Sequence, residues 1–194
     1  MAFEAVFREF DDREVTSGEI KAMFGPSETG IIRENLKNNN HEKAIELYYE
    51  IYRDQHDNMV KKNEAIHTLL RQLKTSGYKL GIVTEKARRS MDLSLDSLEL
   101  NNIFDVIVTG DDVELPKPDP EGINKALEEL GLSNKEAIFL GDSDADILAG
   151  KQASVYTIGV HWLPNFQTIE FSIQPDEVFS DISEFLPSFL ETKV

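Results

Sequence analysis

Apolar residues recur at helical spacing through the first 60 or so residues, and from about residue 61 the pattern becomes short apolar runs alternating with amphipathic stretches. Phe3, Val6, Phe7 and Phe10 fall on one helical face. Thr16 or Ser17 is placed to cap a short helix that Gly25-Pro26 stops. Ser27 or Thr29 opens a further helix through Leu36, Asn38-Asn39-Asn40 makes a loop, and Ala44, Leu47, Tyr48, Ile51 and Tyr52 mark a longer amphipathic helix. Beyond this the pattern predicts helices over 63–76, 86–98, 121–130, 145–152 and about 182–190. It predicts strands over 79–84, 104–109, 137–140 and 155–158. Strands alternating with helices argue for a parallel sheet with right-handed crossovers. The expected fold is therefore α/β, a Rossmann-like parallel sheet with flanking helices over 61–194, preceded by an all-helical part over 1–60.

Composition narrows the possible partners. A length of 194 residues suffices for one domain with an insertion or for two small domains, and for a sizeable core. With 20 basic and 36 acidic residues the formal net charge is −16, which argues against nucleic acid or an anionic membrane as partner. Hydrophobic residues make up 40%, enough for a core despite the charge. The absence of cysteine excludes disulfides and thiolate metal sites and fits a reducing compartment, so a cytoplasmic location is expected. The first ten residues alternate charged and apolar side chains without the apolar stretch of a signal peptide, and no apolar run approaches transmembrane length.

Candidate chemistry sits at three predicted strand ends. Ala137-Ile-Phe-Leu-Gly141 is followed by Asp142, Asp144 and Asp146, which gathers carboxylates where open α/β sheets place their ligands. Carboxylates held together repel unless a cation or proton intervenes, and an oxygen-ligand Mg²⁺ site is the economical reading. Gly81-Ile-Val-Thr84 ends its strand in a hydroxyl just before a helix, and a hydroxyl beside the open N–H groups of a helix start is a natural phosphate cradle. Leu115-Pro-Lys-Pro-Asp-Pro120 fixes Lys117 between prolines, which aims its ammonium group.

Other candidates read as bland. The opening Asp-x-Asp-x-Asp resembles an EF-hand loop, but Ile147 stands where that loop needs glycine and Ala153 where it needs glutamate. Asp11, Asp12, Asp111 and Asp112 read as loop acids, and Arg33, Arg88 and Arg89 as solvated helix residues. His41, His56, His67 and His161 lack metal-ligand spacing. Tyr48, Tyr49 and Tyr52 read as packing residues. No Gly-x-Gly-x-x-Gly or Walker A pattern occurs.

The order Ile82-Val-Thr84, Lys117-Pro118, Gly141-Asp-Ser-Asp-Ala-Asp146 resembles motifs II, III and IV of the haloacid dehalogenase-like (HAD) hydrolases, in particular the phosphoglycolate phosphatase-like branch with a helical cap. The likeness spans nearly the whole chain, with the helical first 60 residues resembling that cap. It implies Mg²⁺-dependent hydrolysis of a small phosphorylated substrate. Thr84 would bind the transferring phosphoryl group, Lys117 would steady charge, Asp142 would ligate the metal, and Asp146 would support the metal site; Asp144 falls on a position the family does not require.

The family's first motif, an apolar strand ending in Asp-x-Asp-Gly-Thr that carries the nucleophile and the general acid, has no counterpart here. The nearest stretch, Glu9-Phe-Asp-Asp-Arg-Glu-Val-Thr16, lacks both the pattern and the glycine. A chain without that central strand forgoes on the order of 10 kcal/mol, at roughly 2 kcal/mol for each of about five buried residues. The resemblance thus implies a late start, or a shortened relative whose gap another segment or chain fills. In either case little or no activity is expected of these 194 residues, together with either marginal stability or self-association through an open sheet. The alternative to an enzyme is a catalytically inactive phosphate- or Mg²⁺-binding module, or an interaction protein, derived from that fold.

Overall fold

The computed structural model describes residues 2–164 and 166–190, so the last four residues of the expected core, 191–194, lie outside it. The chain forms two compact units. The first takes in Met1–Lys62, Thr84–Asn101 and Thr109–Asp112. The second takes in Asn63–Val83, Asn102–Val108 and Val113–Val194.

The first unit is helical: α1 (Ala2–Asp11), α2 (Ser17–Ala22), α3 (Glu28–Asn35), α4 (His41–Met59) and α6 (Arg88–Ser97). Thr16 caps α2 in a reciprocal box, its Oγ1 accepting from Glu19 N–H at 3.2 Å while Glu19 Oε2 accepts from Thr16 N–H at 2.7 Å. Helices α1, α3 and α6 pack on α4, and the apolar stripes meet in a core that includes Val6, Phe7, Ile32, Ala44, Tyr48 and Tyr49. Tyr52 is buried as well, and its hydroxyl meets Ser94 Oγ at 2.8 Å. The three tyrosines read as packing residues are thus core residues of this unit. His56 is also buried, with Nε2 3.0 Å from Ser94 Oγ and Nδ1 3.1 Å from Ser97 Oγ.

The second unit is α/β. Its elements are α5 (Glu64–Thr75), β1 (Gly81–Val83), β2 (Val106–Val108), α7 (Glu121–Leu130), β3 (Ile138–Gly141), α8 (Asp144–Gln152), β4 (Tyr156–Val160), β5 (Glu177–Phe179) and α9 (Ile182–Leu190). Asn63 starts α5 by accepting two backbone N–H bonds on its side chain. Gly131 ends α7 in the left-handed conformation that a Cβ disfavours. All strand pairs are parallel. They form two sheets, β1–β2 and β3–β4–β5, and among the described residues no ladder joins β1 to β3. Helix α7 lies on β1 and β2, and α8 on β3 and β4. Strand β5 escapes the sequence pattern: three residues among acids and turn formers give too short an alternation to register, yet Val178 pairs with Gly159. Among the described residues no helix is long and apolar enough to cross a membrane.

Candidate active site

Three of the four predicted site residues belong to the α/β unit, and two of them are in direct contact. Lys117 Nζ donates to Asp146 Oδ1 at 2.7 Å, with both side chains about nine-tenths buried at 11% and 10% exposure. The same ammonium reaches the carbonyl of Val83, the last residue of β1, at 3.3 Å. The loop carrying Lys117 is clamped on both sides. Glu121 accepts from Glu114 N–H at 3.0 Å and Leu115 N–H at 2.9 Å, and Gln152 donates to Pro118 O at 2.6 Å. The bond from Lys125, together with the Leu115 and Glu114 N–H groups, holds the Glu121 carboxyl down at about 2.

Asp146 does more than its sequence position suggests. Ser143 and Asp146 form the capping box that starts α8: Ser143 Oγ accepts from Asp146 N–H at 3.1 Å, and Asp146 Oδ2 accepts from Ser143 N–H at 3.1 Å and Ser143 Oγ at 2.6 Å. Gly141 makes the close approach possible, because a Cβ there would stand 2.1 Å from Asp146 Cβ. One oxygen of Asp146 thus serves the helix start and the other serves Lys117.

Asp142 is half-buried at the end of β3 and accepts from Gln167 N–H on Oδ2 at 3.1 Å. Burial, and then the neighbouring charge of Asp146, push its carboxyl above the usual range, against the Gln167 N–H bond and, more weakly, the charge of Lys117. A nearby cation would relieve both effects. The donors are all carboxylate oxygens, which suits a hard cation such as Mg²⁺. Among the described residues no cluster of three or more His, Cys, Asp or Glu side chains could hold a metal. Asp144 instead anchors the segment after β4, its Oδ1 accepting from Ser172 N–H at 2.9 Å. The roles of Gln167 and Ser172 were invisible to sequence reasoning, since both act through backbone N–H groups of an irregular segment.

Thr84 follows β1 directly and belongs to the helical unit. Its Oγ1 accepts from Lys86 N–H at 3.3 Å. The open helix start expected beside it is corrected by the structure. Glu28 accepts from Ala87 N–H at 2.5 Å, and Asp111 accepts from Arg88 N–H at 2.8 Å. Carboxylates satisfy these donors because a helix N-terminus favours negative charge, whether it comes from a ligand or from the protein itself. Asp111, which read as a loop acid, is therefore a helix-capping residue; its other oxygen accepts from Ser27 Oγ at 3.0 Å. Arg88 pairs with Asp112 at 2.6 Å, and Arg89 forks onto Glu46 and stacks 4.2 Å over the Tyr49 ring.

The parallel sheets, with a carboxylate-rich turn and a clamped lysine at their C-terminal ends, define a class. Residues 1–160 match the family described as haloacid dehalogenase-like hydrolase, and the chain belongs to that family. It is 40% identical over 146 residues to pyrophosphatase PpaX of Bacillus cereus (strain G9842), covering 75% of this chain and 68% of that protein. Among solved structures it resembles CbbY from Rhodobacter sphaeroides in complex with phosphate, at TM-score 0.77 and 20% identity over 94% of this chain and 86% of that one. A predicted phosphoglycolate phosphatase from Haemophilus somnus 129PT is similar at TM-score 0.76 and 19% identity, covering 96% and 88% of the two chains. At these identities the structural likeness shows the fold alone.

Proposed function

We propose that this chain carries the phosphate- and metal-binding part of a Mg²⁺-dependent hydrolase acting on a small phosphorylated compound, with pyrophosphate or a phosphate monoester as substrate. The observation that carries the reading is the buried Lys117–Asp146 pair beside Asp142, all at strand C-terminal ends of one unit. Lys117 offsets charge on the phosphoryl oxygens, and its clamped loop holds it in place before substrate arrives. Asp142 holds the metal, and Asp146 orients Lys117 and fixes the turn that presents Asp142. Thr84 contributes a hydroxyl to the phosphoryl group. When bound, Mg²⁺ supplies charge stabilisation for phosphoryl transfer. The kinship with a pyrophosphatase supports placing pyrophosphate among the substrates.

A second reading, a phosphate- and Mg²⁺-binding module without turnover, is favoured by one sequence fact: these 194 residues contain no Asp-x-Asp-Gly-Thr. One pair of measurements separates the two. Calorimetric titration with Mg²⁺ and pyrophosphate should show binding that Asp142→Asn removes. Phosphate release from pyrophosphate or p-nitrophenyl phosphate that disappears in Asp142→Asn establishes the enzyme, whereas binding without release establishes the module. Undiminished binding in Asp142→Asn would overturn both.

A further inference from the structure

Helices α4 and α6 pack together and leave a polar cleft at their C-terminal halves. Positions 53, 56, 57 and 60 follow one face of α4 and its cap, and 93, 96 and 97 follow one face of α6. This three- and four-residue spacing sets side chains next to one another along a helix. Together with Lys61 and Lys62 these residues line a volume of about 620 Å³. Small-molecule sites commonly run from roughly 300 to 1,000 Å³. The whole lining belongs to the helical unit. Thr84 lies before α6, so the 10 residues of that helix separate it from the cleft, a span of about 15 Å.

The acids of the cleft are already engaged, and two of its bases are not. Asp57 Oδ1 accepts from Ser97 Oγ at 2.5 Å, and Asp96 Oδ1 accepts from Asn101 Nδ2 at 3.0 Å. The Ser97 bond, and after it the nearby charges of His56 and Lys61, hold the Asp57 carboxyl below its usual range. His56 is buried at 2% exposure, with its ring nitrogens on Ser94 and Ser97. Lys62 pairs with Glu99. Arg53 and Lys61, by contrast, are exposed and make no hydrogen bond or ion pair among the described residues. In a chain with 36 acidic side chains against 20 basic ones, cations left unengaged on one cleft point to an anion.

The remaining lining narrows the class. Val60, Leu93 and Leu98 are apolar, and Val60 is 38% exposed, so a ligand body has surface to cover. The carbonyl ends of α4 and α6 add partial negative charge here, which disfavours a bare anion and favours one that also gains from apolar contact. Arg53 presents a planar fork suited to a carboxylate or phosphate, and Lys61 adds a point charge. We propose that this cleft binds a small organic anion, an oxyanion head on an apolar body, with the head on Arg53 and Lys61 and the body on Leu93 and Leu98. The site is separate from Lys117 and Asp142 and independent of the phosphate chemistry there.

The test titrates the whole chain with four probes while amide shifts are followed by NMR. Phenylphosphonate and benzoate carry a phosphate-like or carboxylate head on the same ring, and the tighter binder names the head. At least one of them should shift the amides of residues 53–62 and 93–98 saturably. Arg53→Gln and Lys61→Gln should each raise its Kd by about tenfold or more. Both positions are exposed, so the circular dichroism spectrum should not change. Inorganic phosphate, which lacks the body, should bind there at least about tenfold more weakly. Shifts confined to Thr84 and Asp142 would mark the candidate active site alone and overturn the proposal. So would a Kd unchanged in both variants, or equal binding of benzylamine, which carries the ring and the opposite charge.

Discussion

The two units bury their apolar residues in different ways. In the helical unit each helix turns one stripe inward, and Phe7 and Ile32 reach 0% exposure. Local hydrogen bonding completes each helix before packing begins, so the core depends only on side chains meeting. In the α/β unit a strand is complete only when both of its edges have neighbours. There Ile158, in a strand paired on both sides, is fully buried, while Ile138, in a strand paired on one, is not. Helical packing tolerates a missing neighbour by leaving a face exposed. Sheet packing leaves unpaired backbone as well, and the second unit shows both effects.

Paired truncations probe this contrast most directly. Ile158→Ala should cost about 2–5 kcal/mol in urea unfolding, whereas Ile138→Ala should cost about 1 kcal/mol or less. Equal costs would mean that the edge of β3 is as well packed as the middle of its sheet. Lys117→Met should cost about 3 kcal/mol, because it strands the buried Asp146 carboxylate, and it should abolish phosphate binding. Gly141→Ala forces Asp146 aside and should cost about 1–3 kcal/mol by the same assay. A neutral result there would show that the turn gives way without loss.

The smallest effect concerns the loop beneath Lys117. The Glu121 carboxyl is held at about 2 against an ordinary 4.5, so its folded value is depressed. Its contribution is fully present above about pH 4.5 and is lost as pH falls toward 2. Carbon-detected titration of Glu121 should show that low midpoint, together with shifts of the Glu114 and Leu115 amides at the same pH. A midpoint near the ordinary value would show that the clamp is absent in solution.

Much of this was legible in the sequence. The 3.6-residue stripes located the helices of both units, and Thr16 marked the start of one through capping chemistry that acts within a few residues. Lys117 and Asp142 stood out as candidates because Pro-Lys-Pro and spaced acids near strand ends are unusual. What escaped was set by distant partners. Glu28 and Asp111 cap α6 from 59 and 23 residues away, so no local pattern announced that the helix start beside Thr84 is taken. Strand β5 owes its existence to β4, and the double duty of Asp146 depends on a lysine 29 residues upstream.

That lysine has a consequence beyond charge. With no ladder between β1 and β3 among the described residues, its ammonium is a tie from the end of one sheet to the start of the helix that follows the other. Neutralising it, as acetylation does, would remove a counter-charge and also loosen a mechanical joint. The counter-charge of Asp146 is at the same time a fastener, joining the end of β1 to the start of α8 through one atom.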